Sequence, residues 1–353
     1  MSIENSKILI VGGAGFVGSN LTHYLLDNMG VSQIIIIDNL LSSDISNLPD
    51  HPHSLFINGS ITDYKILQDL PDDLNYVFHL ACYHGNQSSI ANPFSDHENN
   101  ALTSLKLFDR IKDFNGIKKV VYAAAGCAVA EKTIKDAKPT LEDAPVSLFH
   151  DSPYSVSKLI GEMYGNYYYQ RHGLPFVKAR FQNVYGPREI LGAGSWRGTP
   201  HTVWRNVIPT FIWKAFHSKA LTLDNNGEGS RDFIYVDDVV RGLVCCAEKG
   251  DPGEAYNLAS GVETNILELA NLINDITGNS TPNILGPPRD WDNSVRRYGS
   301  TEKSKNRIDF KAKINIKDGL DRTIQWTKEN KSIILESISK HKKIYPEVDL
   351  YIK

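Results

Sequence analysis

Short runs that are apolar along their whole length alternate with amphipathic stretches through the first half of the chain. Residues 7–11 (KILIV) form one such run, stopped by glycines and followed by a helical pattern over 16–26. This order reads as strand, turn, helix. Further strands are predicted at 33–37 (QIIII), 55–57, 76–80, 119–123 and 176–180, with helices at 65–70, 99–112 and 153–172 between them. Strands without polar alternation are buried on both faces. The pattern therefore predicts an α/β fold, a doubly wound parallel sheet covered by helices on both sides.

Beyond Tyr185 the character changes. Residues 189–205 (EILGAGSWRGTPHTVWR) are rich in Gly and Trp and too long for an ordinary connection, a feature of functional or mobile loops. Helices are predicted near 209–216, 236–246, 266–277 and 319–329, with short strands between them. No repeat, low-complexity segment or linker separates the halves. Two lobes are expected, one spanning 1–182 and a smaller α/β lobe spanning mainly 183–353, interleaved with the first.

The 353 residues are ample for such a core, and 38 Lys plus Arg against 41 Asp plus Glu leave a formal charge of −3. That balance gives no global attraction for nucleic acid or an anionic membrane, so an anionic partner must be held locally. The start, MSIENSK, lacks the apolar core of a signal peptide, and no stretch approaches the ~18 apolar residues of a membrane span. A cytoplasmic protein is expected. Cys82, Cys127, Cys245 and Cys246 show no C-x-x-C or Cys/His spacing, so neither a disulfide framework nor a metal site is expected. Cys245 and Cys246 fall in an apolar helical pattern and read as core.

Gly12-Gly13-Ala14-Gly15-Phe16-Val17-Gly18 places G-x-x-G-x-x-G between a strand and a helix start. Glycine there permits a tight turn and lets a pyrophosphate approach the amides at the positive helix end. The spacing differs by one residue from the G-x-G-x-x-G dinucleotide fingerprint, and glycines alone are a weak signal. Asp38 strengthens it: a carboxylate ending the second strand accepts hydrogen bonds from ribose hydroxyls and repels a 2′-phosphate, favouring NAD over NADP. The plain alternative is a Gly-rich turn beside an exposed Asp. Tyr154 and Lys158 lie four apart on a predicted helix and so share a face. A phenol with a free pKa of about 10 is a poor base, but an adjacent ammonium and a positive nicotinamide both favour phenolate. Such a tyrosine takes a proton from a sugar hydroxyl. Away from a dinucleotide site the same spacing is only a solvated helix pair.

These residues, with VFHLA at 77–81, Asn99, RFQNVYGPR at 180–188 and RDFIYVDD at 231–238, resemble the extended short-chain dehydrogenases/reductases over nearly the whole chain. The resemblance is specifically to the NAD-dependent nucleotide-sugar epimerases and dehydratases. It implies a Rossmann-type first lobe, tightly bound NAD, a nucleotide-diphosphate sugar substrate and a homodimer built through two helices per subunit. The cofactor contacts it implies are Gly12, Gly15, Phe16, Val17, Gly18, Asp38, Asn39, Ser60, Ile61, Leu80, Ala81, Tyr154 and Lys158. The substrate contacts it implies are Gly85, Asn183, Arg188, Arg197, Arg231 and Arg297, with Arg296 as an alternative to the last.

One match is missing. Members usually carry a Ser-Ser/Thr segment whose hydroxyl bonds the reacting sugar oxygen, whereas this chain reads Ala123-Ala124-Ala125-Gly126-Cys127-Ala128. The segment is similar to that of the GDP-mannose 3,5-epimerase branch, which implies Cys127 as an acid/base and Trp196-Arg197-Gly198 as the opposing loop. Oxidation at C4 acidifies C3 and C5, and a thiol of pKa about 8.5 is suited to such a carbon acid. Arg197 stays protonated and so suits enolate stabilisation. His84 and His201 are candidates for the second proton carrier, although lone histidines are more often structural. The alternative for Cys127 is a buried small hydrophobe. Trp196, Trp204 and Trp213 line a pocket or fill the lobe interface. An epimerase inverting C5 or C3/C5 in surface-polysaccharide precursor synthesis is the leading expectation. A 4-epimerase follows, then a 4,6-dehydratase, disfavoured because the Asp-Glu pair is missing, and a non-catalytic NAD-binding regulator.

Overall fold

The computed structural model describes residues 2–126, 138–289 and 296–351. Seven parallel strands form the main sheet, in the spatial order Ala255–Leu258, Phe176–Phe181, Lys119–Ala125, Tyr76–His79, Lys7–Val11, Gln33–Asp38 and Ser54–Asn58. Consecutive strands step outward from Lys7–Val11 in one direction, and the later ones are added on its other side. The order reverses between Lys7–Val11 and Tyr76–His79, and a crevice opens beyond the carboxyl ends of strands at such a switch.

The uniformly apolar strands are explained by two cores. Ile8, Ile10, Ile34 and Ile36 pack into one cluster together with Val239, Val240 and Leu243 of helix Val236–Lys249. Leu9, Val11, Ile35 and Ile37, the alternate positions, pack into a second with Leu107, Phe108 and Ile111 of helix Thr103–Ile111. Each strand thus spends both of its faces on apolar burial. Cys246 is fully buried in the first core. The strand Ala255–Leu258 and helix Val236–Lys249 come from the second half of the chain yet complete the main sheet. The halves are interleaved to that extent.

Strand Ser230–Tyr235 organises the smaller lobe, pairing with Asn183–Tyr185, Glu263–Asn265 and Arg296–Arg297. Helices Val207–Phe216, Ile266–Thr277 and Ile316–Glu329 close a third core over it. The Gly- and Trp-rich segment joins a fourth cluster with helix Lys331–Ser339 near the end of the chain. Trp196 packs against His341 and Tyr345, Trp204 against Tyr351, and Trp213 is fully buried. The three tryptophans fasten the loop. None of them lines the cleft described below. Among the described residues, no helix is long and apolar enough to cross a membrane.

Arg180 and Glu162 form a buried bidentate pair at 2.9 and 2.8 Å, and Arg180 also donates to the Glu142 carbonyl at 2.7 Å. The Glu142 side chain accepts from the amide of Asn257 at 2.9 Å. The chain after residue 137 is thereby tied to the sheet. Removing one partner of such a pair strands a buried charge, so Arg180→Met is expected to cost about 3–5 kcal/mol, and Arg180→Met with Glu162→Leu less than that. Urea unfolding midpoints of the single and double variants check this; a single-variant loss below ~1 kcal/mol contradicts it.

Candidate active site

A cavity of about 390 Å³ lies beyond the carboxyl ends of the strands and extends to the smaller lobe. At its floor the chain turns from strand Lys7–Val11 into helix Phe16–Asn28. Gly12 has φ +87°, and a Cβ there would sit 2.4 Å from the amide nitrogen of Ala81. A Cβ on Gly18 would lie 2.1 Å from the Gly12 carbonyl oxygen. Only glycine allows this approach of turn and helix. No side chain caps the helix start at Gly15, so its first amides face the cavity unpartnered by a cap. A bare helix N-terminus over a cradle of this width fits a pyrophosphate.

Asp38, at the end of the adjacent strand, accepts from the Leu40 amide at 2.9 Å, the Ser43 hydroxyl at 2.8 Å and the Ala14 amide at 3.1 Å. Burial pushes its carboxyl above the usual range, and these bonds oppose that shift. Asn39, Ser60, Ile61, Leu80 and Ala81 line the same cavity, as do Gly12, Gly15, Phe16, Val17 and Gly18. The dinucleotide residues named from the sequence are therefore brought together on one wall.

Tyr154 and Lys158 line the cavity from helix Pro153–His172. Ser152 caps that helix by accepting from the Ser155 amide, and the Tyr154 amide donates to the Ser89 hydroxyl at 3.1 Å. Lys158 is buried; its ammonium donates to the Ala123 carbonyl at 2.9 Å and stands 6.0 Å from the Tyr154 ring centroid. An ammonium in that position stabilises negative charge on the phenol oxygen. The His84 ring meets Tyr154 edge-on, with centroids 6.2 Å apart. Burial, reinforced by Arg197, Arg205 and Lys158, pushes His84 down to about 3, so the imidazole stays neutral near pH 7 and is a weak base. His201 does not line the cavity.

Asn99 lines the cavity, and its neighbour Asn100 is buried beneath it. The chain widens to a π-turn over His97–Leu102. Asn100 donates to Asp96 at 2.7 Å and to the Ser157 hydroxyl at 3.1 Å, while its carbonyl oxygen accepts from the Tyr83 amide at 2.7 Å. It braces the Tyr154–Lys158 helix against the Cys82–His84 wall. The Asn-Asn doublet and the break in helical period were the signals available for it in the sequence.

In the smaller lobe, Arg231 and Arg297 are register partners on adjacent parallel strands, and both line the cavity. Arg297 pairs with Asp151 at 3.4 Å, and Arg296 with Glu263 at 2.6 Å. Asn183 and Gly85 also line it. Arg188 and Arg197 do not. Arg188 donates to Asn20 at 3.0 Å and braces the first helix. Arg197 sits behind the lining, donating to the His84 carbonyl at 2.9 Å with its guanidinium 5.7 Å from the Tyr83 ring centroid. Cys127 lies outside the described residues.

Glu189, Arg205 and Asn206 line the cavity and carry no sequence signature. Asn206 donates to Glu189, whose second carboxyl oxygen is buried without a hydrogen-bond partner. Glu189 is 6% exposed, and burial pushes its pKa up to about 7. An acid whose folded pKa lies above its unfolded value contributes a penalty that grows as pH rises from about 4.5 through about 7. Glu189→Gln is expected to stabilise the protein by on the order of 1–3 kcal/mol at pH 8 and hardly at all at pH 4.5. Calorimetric melting at both pH values tests this; equal shifts at the two contradict it.

Similarities to known proteins bear on this geometry. The sequence profile described as the NAD dependent epimerase/dehydratase family matches residues 8–259. The chain is 53% identical to the Bordetella bronchiseptica enzyme WbmF, solved in complex with NAD+ and UDP, with a TM-score of 0.88 and 97% and 98% of the two chains covered. It is 36% identical to the epimerase Mth375 of Methanothermobacter thermautotrophicus, at a TM-score of 0.85 and coverage of 95% and 96%. It is 30% identical to the UDP-glucose 4-epimerase of Thermotoga maritima, solved with UDP-glucose, at a TM-score of 0.82 and coverage of 92% and 99%. With a glycine turn, a strand-end acid and a Tyr-Lys helix meeting in one cleft, and with the family profile matching over 252 residues (8–259), the chain belongs to the NAD-dependent epimerase/dehydratase family.

Proposed function

We propose that this protein is a nucleotide-sugar epimerase that oxidises its substrate transiently at C4, inverts a stereocentre and returns the hydride, with no net redox change. The observation that carries the reading is the meeting of Tyr154 and Lys158 with the Gly12–Gly18 turn in one cleft that Arg231 and Arg297 close from the other side. NAD bound over the glycine turn supplies the hydride acceptor. The first helix and Asp38 hold its pyrophosphate and ribose. Tyr154 takes the C4 hydroxyl proton, and the Lys158 ammonium stabilises the phenolate that does so. Arg231 and Arg297, side by side, clamp the sugar diphosphate, with Asn183 and Gly85 beside them. Arg188 acts indirectly, as a brace on the first helix.

The carbon that is inverted follows from the segment after Ala125. With Cys127 as a proton carrier, the ketone at C4 makes C5, or C3 and C5, exchangeable, and a product for surface polysaccharide results. With C4 itself inverted, rotation of the keto sugar suffices. A homodimer is part of the reading: helix Pro153–His172 presents Val156, Met163 and Tyr167 to solvent, and Phe94 nearby is 80% exposed. Multi-angle light scattering is expected to give twice the chain mass, with Met163→Glu and Tyr167→Lys together giving one; a monomeric parent removes the dimer.

Incubation with UDP-, GDP- and CDP-sugars in deuterium oxide tests the function. Deuterium at C3 or C5 supports the carbon-acid route, and turnover without deuterium supports C4 inversion. No conversion and no reduced-cofactor absorbance across the panel would favour a non-catalytic binding module instead. Tyr154→Phe is expected to lower turnover at least ~10²-fold while keeping the cofactor bound, because proton and hydride leave the C4 alcohol together. A loss smaller than tenfold contradicts the assignment of the base.

A further inference from the structure

Three cations converge on one wall of the reactive end. His84 lies within range of Lys158, Arg197 and Arg205. Arg197 is 4% exposed; one of its nitrogens bonds the His84 carbonyl, and the other two, Nε and Nη2, are buried without a hydrogen-bond partner. Among the described residues, Arg205, in the cleft lining, donates only to the backbone carbonyls of Ser42, Ala193 and Thr202. The carboxyl in range of Arg205, again among the described residues, is that of Glu189, which burial holds partly protonated near neutral pH.

Buried guanidinium donors are costly to leave unpaired, and those of Arg197 lie one layer behind the lining; at the lining itself the Arg205 guanidinium is bonded to carbonyls, which leave its positive charge uncompensated. The anions already assigned sit elsewhere. The cofactor pyrophosphate belongs at the Gly12–Gly18 turn, and the sugar diphosphate at Arg231 and Arg297 on the smaller lobe's sheet. With the diphosphate at Arg231 and Arg297 as proposed above, the sugar is the part of the substrate that would reach the His84 wall. With its C4 hydroxyl at Tyr154, 6.2 Å ring to ring from His84, the C6 substituent is only two bonds away from the reacting carbon.

We propose that the sugar carries a C6 carboxylate, so that the substrate is a nucleotide-uronic acid whose acid group is drawn to the Arg197 and Arg205 side of the His84 wall. This rests on the nucleotide-sugar reading above. Arg197 stands one side-chain layer behind the lining, so it acts through its field as well as any contact made on binding. At the effective dielectric of about 20 that suits protein sites, one such charge is worth on the order of tenfold in affinity. A neutral hexose in the same place leaves the excess positive charge unanswered.

The test uses the NAD-loaded protein and four probes, UDP-galacturonic acid against UDP-galactose and UDP-glucuronic acid against UDP-glucose, titrated by calorimetry. A UDP series is chosen because the relative with 53% identity was solved holding UDP. At least one uronate is expected to bind about tenfold or more tighter than its neutral partner. Arg197→Gln is expected to weaken that preference severalfold and Arg197→Lys to retain more of it, with circular dichroism confirming that both variants fold. Equal affinity for acid and neutral sugars in the parent overturns the proposal without reference to any variant. A preference undiminished in folded Arg197→Gln overturns the assignment to Arg197. Failure of all four probes, together with failure of the GDP- and CDP-sugar panel, counts against the nucleotide-sugar reading itself and takes this proposal with it.

Discussion

How closely helix Pro153–His172 lies on the main sheet decides the geometry of the reactive end. A Cβ at Gly161 would come 2.1 Å from the Tyr122 hydroxyl, and one at Gly165 would come 2.0 Å from the Phe176 ring. Two bare backbone positions therefore let the helix settle onto aromatic side chains that rise from adjacent strands. Tyr122 in turn donates to the Lys158 carbonyl at 3.3 Å, from below the helix. At that depth the Lys158 side chain reaches the Ala123 carbonyl and Tyr154, one turn earlier, emerges at the strand ends. Close packing is what brings Tyr154 and Lys158 to this distance from the strand ends.

The same helix is fixed laterally by polar groups that never reach the cleft. Asn100 joins Asp96, Ser157 and the Tyr83 amide, so the helix and the Cys82–His84 wall move as one unit. Arg180 and Glu162 tie the helix to the next strand. Buried networks of this kind are useful only when fully satisfied, and these are. Arg197 and Glu189 depart from that rule, with unpaired polar atoms at the cleft wall or directly behind it.

Electrostatics divide the cleft. At the glycine turn the cleft presents backbone amides at a helix start and one carboxylate, Asp38. On the opposite side, parallel pairing of Ser230–Tyr235 with Arg296–Arg297 sets two guanidiniums next to one another. The wall between carries a neutral imidazole under the field of three cations. The Trp-rich segment that helps to build this wall is held by aromatic contacts to the end of the chain, where Trp196 and Trp204 meet His341, Tyr345 and Tyr351. Residues far apart in sequence therefore shape this end of the cleft together.

Much of this was written in local sequence. The strands were legible because two-sided burial demands runs such as Gln33–Asp38, and the glycine turn because only glycine fits there. Tyr154 and Lys158 were legible because helical spacing alone puts them on one face. The edge strand Ala255–Leu258 was not assigned to the main sheet, since nothing local says which sheet a short strand joins. Arg188 and Arg197 looked alike as basic residues near family motifs, yet one braces a helix and the other bonds the His84 carbonyl from behind with two of its nitrogens unbonded. Glu189, Arg205 and Asn206 had no pattern at all. Periodicity and backbone sterics act within a few residues and survive in the sequence, whereas burial, charge pairing and the direction of a side chain depend on what the rest of the chain brings against it.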